Sequence, residues 1–63
     1  MFMWFRKGDV VVTDREDMLG IPMTVVDFSN KLRLCECEYW VDDRVFWEEF
    51  RFDELTVIVE VED

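Results

Sequence analysis

The sequence predicts an all-β domain, and three observations support this prediction. Runs of β-branched and aromatic residues, which favour strands, recur along the chain between short turn-forming clusters. No segment places apolar residues at the spacing of an amphipathic helix. The segment 32–41 instead alternates polar and apolar residues, as a strand with one buried face does. With a length of 63 residues, the chain is expected to form one domain over residues 1–63.

The chain up to residue 20 is interpreted as an arm, a strand and a loop. Residues 1–7 are apolar and then basic, which is typical of a short strand or of an arm packed on the domain. The Gly-Asp pair at 8–9 indicates a turn, and the β-branched run Val10–Thr13 is the first predicted strand. In the charged loop that follows, we expect the two apolar residues, Met18 and Leu19, to contact the core.

The middle of the chain is interpreted as two strands joined by a tight turn. Residues 21–28 form the second predicted strand, with Pro22 near its start, where a missing N–H does least harm. In the turn that follows, Asn30 is the residue expected to take a positive φ. The third predicted strand covers 31–41, and its apolar residues change face near 34–35, which indicates a β-bulge at that point.

The end of the chain contains the return strand of a hairpin, one helical turn and a last strand. The Asp-Asp pair at 42–43 is interpreted as a two-residue hairpin turn, followed by a strand over 44–52. Residues 53–55 suit a single helical turn capped by Asp53, and the last strand covers 56–61. This order of elements is that of SH3-like barrels, in which closure protects the edge strands. We therefore predict a small five-stranded SH3-like barrel with one short helical turn before the last strand.

Several short pieces of the chain are similar to those of a known family. In chain order they are Gly8-Asp9-Val10-Val11, Pro22-Met23-Thr24-Val25, Cys37-Glu38-Tyr39-Trp40, and Phe50 followed five residues later by Leu55. In order and rough spacing they resemble the YodC-like family of small bacterial proteins, whose function is uncharacterised. The resemblance implies a small SH3-like barrel, and it implies no activity, cofactor or catalytic residue.

The net charge of −9 is unevenly distributed along the chain. Residues 1–34 carry five basic and five acidic side chains, whereas residues 35–63 carry two basic and eleven acidic ones. Direct nucleic-acid binding needs a basic surface, and an anionic membrane would repel the acidic half. We therefore expect neither nucleic acid nor membrane as a direct partner, and predict a partner protein with a basic surface.

The residue types argue against catalysis and against a cofactor. The chain has no histidine, which removes the commonest general base, and its single serine, Ser29, lies in a predicted turn. Cys35 and Cys37 supply two of the four ligands that a structural zinc needs, so such a site would require a second chain. We interpret both thiols instead as buried apolar groups, and predict no enzyme, no metal site and no cofactor.

A cytoplasmic location is expected. No apolar run is long enough to span a membrane, and the apolar segment 1–5 is shorter than a signal-peptide core and precedes the positive charges. Two cysteines so close together, without an export signal, favour a reducing compartment.

The chain is rich in apolar residues for its length, with 51% hydrophobic residues. A domain of this size buries only about 60% of its unfolded surface, so not all of these side chains fit inside. The surplus, which includes Phe2, Trp4, Phe5 and Trp47, predicts that another chain covers part of the apolar surface. A homodimer is one such arrangement.

The segment 32–52 carries the candidate binding site, because the turn at 42–43 sets the pairing of its two strands. One face is expected to belong to the core and to be interrupted by a single carboxylate at Glu48. The apolar residues of this face are Cys35, Cys37, Tyr39, Phe46, Phe50 and Phe52. The opposite face, called the hairpin face, carries Trp40, Val45, Trp47, Glu36, Glu38 and Glu49.

The hairpin face is interpreted as the partner-binding surface of a non-enzymatic interaction module. Trp40 and Trp47 are the predicted anchors, and Glu36, Glu38 and Glu49 are predicted to select a basic partner. One alternative is a nucleic-acid mimic that inhibits a nucleic-acid-binding enzyme, because carboxylates on one strand face repeat at roughly 6.7 Å. Another is a solvated acidic surface with no partner.

Overall fold

Within residues 5–61, five antiparallel strands form one sheet in the order β4-β3-β2-β1-β5. The structure is a computed structural model, and it describes residues 5–61. The strands are β1 (Val10–Thr13), β2 (Met23–Ser29), β3 (Leu34–Val41), β4 (Arg44–Arg51) and β5 (Leu55–Val59). Two 3₁₀ turns, Glu16–Met18 and Phe52–Glu54, lie before β2 and before β5. The predicted small all-β barrel of SH3-like strand order, with a helical turn before the last strand, is confirmed.

The core lies on the inner side of this sheet and receives side chains from every strand. Alternate positions point inward, because successive side chains of a strand lie on opposite faces. The buried apolar residues are Phe5, Val11, Met18, Met23, Val25, Cys35, Cys37, Phe50 and Leu55. Both cysteines are fully buried, so their interpretation as core residues is confirmed.

A β-bulge is present, but it lies in β2 and not in the third strand, where it was predicted. The pairing of β2 with β3 shifts between Val25 and Asp27, which leaves Val26 as the extra residue. By contrast, β3 pairs with β4 without interruption over its whole length. The prediction was wrong because it counted Leu32 as a strand residue on the opposite face from the cysteines. Leu32 lies outside the strand, in the preceding turn, and is 65% exposed.

The turn between β2 and β3 is longer than predicted. Arg33, and not Asn30, takes the positive φ, at 55°. Ser29 Oγ accepts a hydrogen bond from the backbone N–H of Leu32 at 3.1 Å, which stabilises the turn from inside. The carbonyl of Arg33 accepts a hydrogen bond from the N–H of Phe52 at 3.0 Å, so the end of this turn is held against the second 3₁₀ turn.

The Gly-Asp pair at 8–9 is a structural junction. Asp9 is 1% exposed, and its carboxylate accepts hydrogen bonds from the backbone N–H groups of Arg6 and Val61, both at 2.9 Å. Its carbonyl accepts another from the N–H of Val25 at 2.9 Å. Gly8 has a φ of 100°, and a Cβ there would lie 2.9 Å from Val61 Cγ2. Asp9 therefore connects the first turn and the segment after β5 through its carboxylate, and β2 through its backbone carbonyl.

Two further local predictions need correction. The second 3₁₀ turn begins at Phe52, and Glu54, not Asp53, closes it by accepting a hydrogen bond from the N–H of Arg51 at 2.9 Å. In the loop before β2, Met18 contacts the core as predicted, but Leu19 is 63% exposed. A single 3₁₀ turn presents only one of two consecutive side chains to the core.

The start of the described chain is packed on the domain, as expected for an arm. Phe5 is 3% exposed, and its ring centroid lies 4.8 Å from that of Phe52. It therefore belongs to the core and not to an apolar surplus at the surface. Phe2 and Trp4, the other early residues of the predicted surplus, lie outside the described residues.

Candidate functional site

The predicted register of the hairpin is confirmed. From Val41 opposite Arg44 at the turn, the two strands pair continuously to Leu34 opposite Arg51. Asp42 takes a φ of 56° in the two-residue turn, a conformation that aspartate tolerates better than most residues. The pairs that build the hairpin face are Trp40 with Val45, Glu38 with Trp47, and Glu36 with Glu49.

The structure brings the five predicted partner-binding residues onto one outward surface. Trp40 is 61% and Trp47 is 58% exposed, although large aromatic side chains are mostly buried in proteins. Trp47 Nε1 donates a hydrogen bond to Glu38 Oε2 at 3.1 Å, which orients the indole across the pair. Glu36 and Glu49 are exposed. An exposed indole and a carboxylate therefore contact each other on the surface.

Asp27 joins this surface, although sequence reasoning did not include it. It pairs with Glu36, which pairs in turn with Glu49, so three carboxylates occupy one row across β2, β3 and β4. Directly opposite side chains in a sheet lie about 5 Å apart at Cβ, and like charges at this spacing repel. Lys7 Nζ lies 3.9 Å from Asp27 Oδ1 and offsets part of this charge.

The bulge at Val26 is what turns Asp27 outward. Before the bulge, Val25 pairs with Cys37 on the buried side. In strict alternation, the residue two positions later would also point into the core. The extra residue reverses this alternation, so Asp27 points outward and Phe28 packs against the core. No signal in the sequence places the bulge in β2, and so none predicts that Asp27 belongs to the site.

A shallow depression adjoins the carboxylate row. It has a volume of about 130 Å³ and combines apolar and acidic walls. The lining residues are Asp27, Phe28, Ser29, Leu32, Leu34, Glu36 and Glu49. Such a wall suits an amphipathic side chain, with its stem on the leucines and its cationic end on the carboxylates.

The opposite side of the hairpin is only partly a core face. Phe50 is fully buried, whereas Phe46 is 41% exposed and the predicted burial of this residue is wrong. The reason is the length of β2, whose pairing with β3 ends at Glu38 and leaves the hairpin tip without a third strand. At the tip, Tyr39 and Phe46 stack on each other, with ring centroids 5.6 Å apart and an angle of 19° between the rings.

The carboxylate at Glu48, which interrupts the core face, has a partner that the sequence did not indicate. Arg15 makes an ion pair with Glu48 and a second one with Asp17 at 3.1 Å. The guanidinium also lies over the ring of Phe50, 5.4 Å from its centroid. Partial burial, followed by the proximity of Glu48, raises the pKa of the Tyr39 phenol. Arg15 therefore covers the rim of the core where the apolar face ends.

The thiols are not placed to bind a metal. Burial raises the pKa of Cys35 to about 11 and that of Cys37 to about 12, which makes the thiolates that zinc would require harder to form. Both side chains are also fully buried, so a second chain could not complete a zinc site with them. Within residues 5–61, no group of three or more metal-ligating side chains is close enough together to hold an ion.

Comparison with known proteins found no matching family model, no matching curated sequence and no matching solved structure. The resemblance to the YodC-like family therefore stays a prediction. In the part of the chain that the structure describes, no helix is long and apolar enough to cross a membrane.

Proposed function

We propose that this chain is a small acidic, non-enzymatic interaction module of the cytoplasm that binds a partner protein with a basic surface through the hairpin face. One observation carries the proposal. Trp40 and Trp47 are each more than half exposed on the same side of the sheet as Glu36, Glu38 and Glu49. Binding hot spots are rich in aromatic residues, and polar residues form the rim around them.

The geometry of the two tryptophans suits a cationic side chain. Trp40 lies opposite Val45, and Trp47 is two residues further along β4, so the two are diagonal neighbours. Diagonal positions in an antiparallel pair are about 7–8 Å apart, which leaves room for one side chain between the rings. A guanidinium or ammonium group at an indole face gains cation–π attraction, and the carboxylate of Glu38 lies beside it.

The carboxylate row supplies the charge that would steer such a partner. Asp27, Glu36 and Glu49 repel one another across three neighbouring strands. A bound cation relieves this repulsion, so part of the binding free energy comes from strain already present in the free protein. Charged groups of this kind mainly increase the rate of association, and salt screens their effect.

The absence of catalysis is part of the proposal. The sequence contains no histidine, and the hydroxyl of the only serine, Ser29, accepts a hydrogen bond within a turn. Membership of the YodC-like family is also proposed. In support, seven of the fourteen residues in the similar pieces are buried, whereas only Glu38 and Trp40 belong to the hairpin face, so the resemblance concerns the fold more than that face. The buried residues in those pieces are Asp9, Val11, Met23, Val25, Cys37, Phe50 and Leu55.

The carboxylate row also favours a second candidate, the nucleic-acid mimic. Neighbouring strands lie about 4.8 Å apart and same-face residues repeat at roughly 6.7 Å, so the row and Glu38 form a two-dimensional array of negative charge. Phosphates of a duplex present a similarly dense charge. The exposed tryptophans lie among these charges, and an aromatic pair has no counterpart on a phosphate backbone. This favours the interaction module.

Titration with short arginine- and lysine-containing peptides, observed by amide and indole N–H chemical shifts, tests the proposal. We expect the largest shifts at Trp40 and Trp47. Trp47→Ala should weaken binding by about 30-fold or more at every salt concentration, as loss of a buried anchor does. The matched control is Leu19→Ala, which removes an apolar side chain of similar exposure from a distant loop.

The carboxylates should behave differently from the tryptophans. Glu38→Gln combined with Glu49→Gln should slow association at low salt and have little effect at high salt. Asp43→Asn combined with Glu60→Gln removes the same charge elsewhere and is the control. If the control pair weakens binding while the hairpin-face variants do not, the proposal fails. Tight binding only to a basic nucleic-acid-binding enzyme, in competition with its nucleic acid, would indicate the mimic.

A further inference from the structure

The depression beside the carboxylate row lies on the same outward side of the hairpin as the two tryptophans, but at its base and not at its tip. Its volume of about 130 Å³ is well below the roughly 300–1,000 Å³ of pockets that enclose small-molecule ligands, so it suits a single side chain. Leu32 and Leu34 form part of its apolar wall, and Leu32 is 65% exposed. The hydrogen bond from the N–H of Leu32 to Ser29 Oγ holds the turn that carries this leucine.

The acidic wall of the depression is only partly neutralised by the chain itself. Lys7 Nζ lies 3.9 Å from Asp27 Oδ1, at one end of the carboxylate row. Arg51, two positions after Glu49 on β4, instead forms ion pairs with carboxylates of the second 3₁₀ turn, at 3.3 and 3.6 Å. Within residues 5–61, no basic side chain forms an ion pair with Glu36 or Glu49. These two carboxylates are therefore available to a cation from another protein.

We propose that this depression receives an arginine side chain of the partner protein, as a second contact besides the one between the tryptophans. The inference rests on the proposed function, because it concerns the same partner. The apolar stem of the arginine lies on the two leucines of the wall. Its planar guanidinium donates hydrogen bonds to Glu36 and Glu49, which lie directly opposite each other. Lysine suits this position less, because its compact ammonium group does not match two neighbouring carboxylates in the same way.

The positions of the two contacts set the spacing of the basic residues in the partner. The tryptophan contact lies between positions 38 and 40 of β3, and the depression lies between positions 34 and 36. These levels are four positions apart, or roughly 13 Å along the strand. In an extended segment, residues four positions apart project to the same side and span the same distance. The partner segment is therefore extended along the hairpin, with basic residues at positions i and i+4.

Three peptides, titrated into the full chain at high salt and observed by amide and indole N–H chemical shifts, test this spacing. One carries a single arginine, the second carries arginines at i and i+4, and the third has the same composition with the arginines at i and i+3. The i, i+4 peptide should bind at least about tenfold tighter than the single-arginine peptide, as an added charged hydrogen-bonded contact does. The i, i+3 peptide directs its arginines to opposite sides, so it should bind about as weakly as the single-arginine peptide. Only the i, i+4 peptide should shift the amide signals of Leu32 and Leu34.

A variant of the apolar wall separates this inference from the proposed function. Leu32→Ser leaves the charge unchanged and should reduce the gain from the second arginine by about threefold or more, without affecting the single-arginine peptide. Leu19→Ser, at a position 63% exposed in the loop before β2, is the matched control and should change neither.

Three results would contradict the inference. Equal affinity of the i, i+3 and i, i+4 peptides overturns it, and so does an unchanged gain in Leu32→Ser. In both cases the proposed function survives if the single-arginine peptide still shifts the signals of Trp40 and Trp47. If no peptide shifts those signals, the proposed function fails, and this inference fails with it.

Discussion

The two faces of the β3–β4 hairpin belong to the same strands in the same register, yet their surroundings are opposite. On the inner face, Cys35, Cys37 and Phe50 are at most 1% exposed. On the outer face, Glu36 is exposed and Trp47 is 58% exposed. Alternation along each strand thus interleaves residues that stabilise the fold with residues available to a partner. Substitutions at neighbouring positions of one strand should therefore change either the free energy of unfolding or partner binding, depending on the face to which the side chain points.

The separation is complete only in the half of the hairpin that pairs with β2. Beyond Glu38, β3 has no neighbour on that side, and both faces of the tip become accessible. Phe46 on the inner side and Trp40 on the outer side are both exposed there. The contrast between the faces therefore depends on a third strand and not on the hairpin alone.

The largest expected effect is on the inner face. Phe50→Ala removes a fully buried ring and should cost about 3–5 kcal/mol of unfolding free energy, which approaches the whole stability expected for a domain of this size. Urea denaturation, monitored by circular dichroism, measures this loss of unfolding free energy. If Phe50→Ala is already unfolded without denaturant, Phe50→Leu should lose less unfolding free energy, and that smaller loss can be measured. A Phe50→Ala protein as stable as Phe46→Ala would contradict the inner-face assignment.

The next effect concerns the thiols of the inner face and depends on pH. Burial raises the pKa of Cys35 to about 11 and of Cys37 to about 12, from an ordinary value of 9.0. Above pH 9 the unfolded chain loses these protons first, so the folded state is stabilised below that pH and loses stability as the pH rises towards the folded values. At pH 10 the loss should be on the order of 1 kcal/mol for each thiol.

Urea denaturation at pH 8 and pH 10 checks this dependence. The Cys35→Ala, Cys37→Ala variant is less stable at both pH values, but it should show a smaller decrease between them. An equal decrease in the variant and the wild-type protein would mean that the thiols titrate normally. Slow reaction of the native protein with a thiol reagent at pH 8 should accompany the expected result.

The smallest expected effect on stability is on the outer face. Trp47→Ala should change the unfolding free energy by no more than about 0.5 kcal/mol, because an exposed side chain makes few core contacts. The same variant is the one expected to lose partner binding. A loss of several kcal/mol of unfolding free energy in urea denaturation would show that the indole packs on the sheet. The outer face would then contribute to stability as the inner face does.

The sequence by itself determined the strands whose pattern is local. The β-branched run Val10–Thr13 is β1 to the residue, and the Asp-Asp turn with the alternation around it specified every pair of the β3–β4 hairpin. A two-residue turn permits only one register, and alternation then assigns each side chain to a face. The burial of Cys35 and Cys37 and the outward position of Trp47 follow from these two facts.

Only the tertiary structure decided features that depend on distant segments. Arg15 covers Glu48 from 33 positions away, and nothing in either neighbourhood predicts the pair. The bulge at Val26 adds Asp27 to the carboxylate row, because one extra residue reverses the face of those that follow. Phe46 is exposed because β2 ends before the hairpin does. Strand length and bulge position arise from how neighbouring strands fit one another, which the pattern within a single strand does not contain.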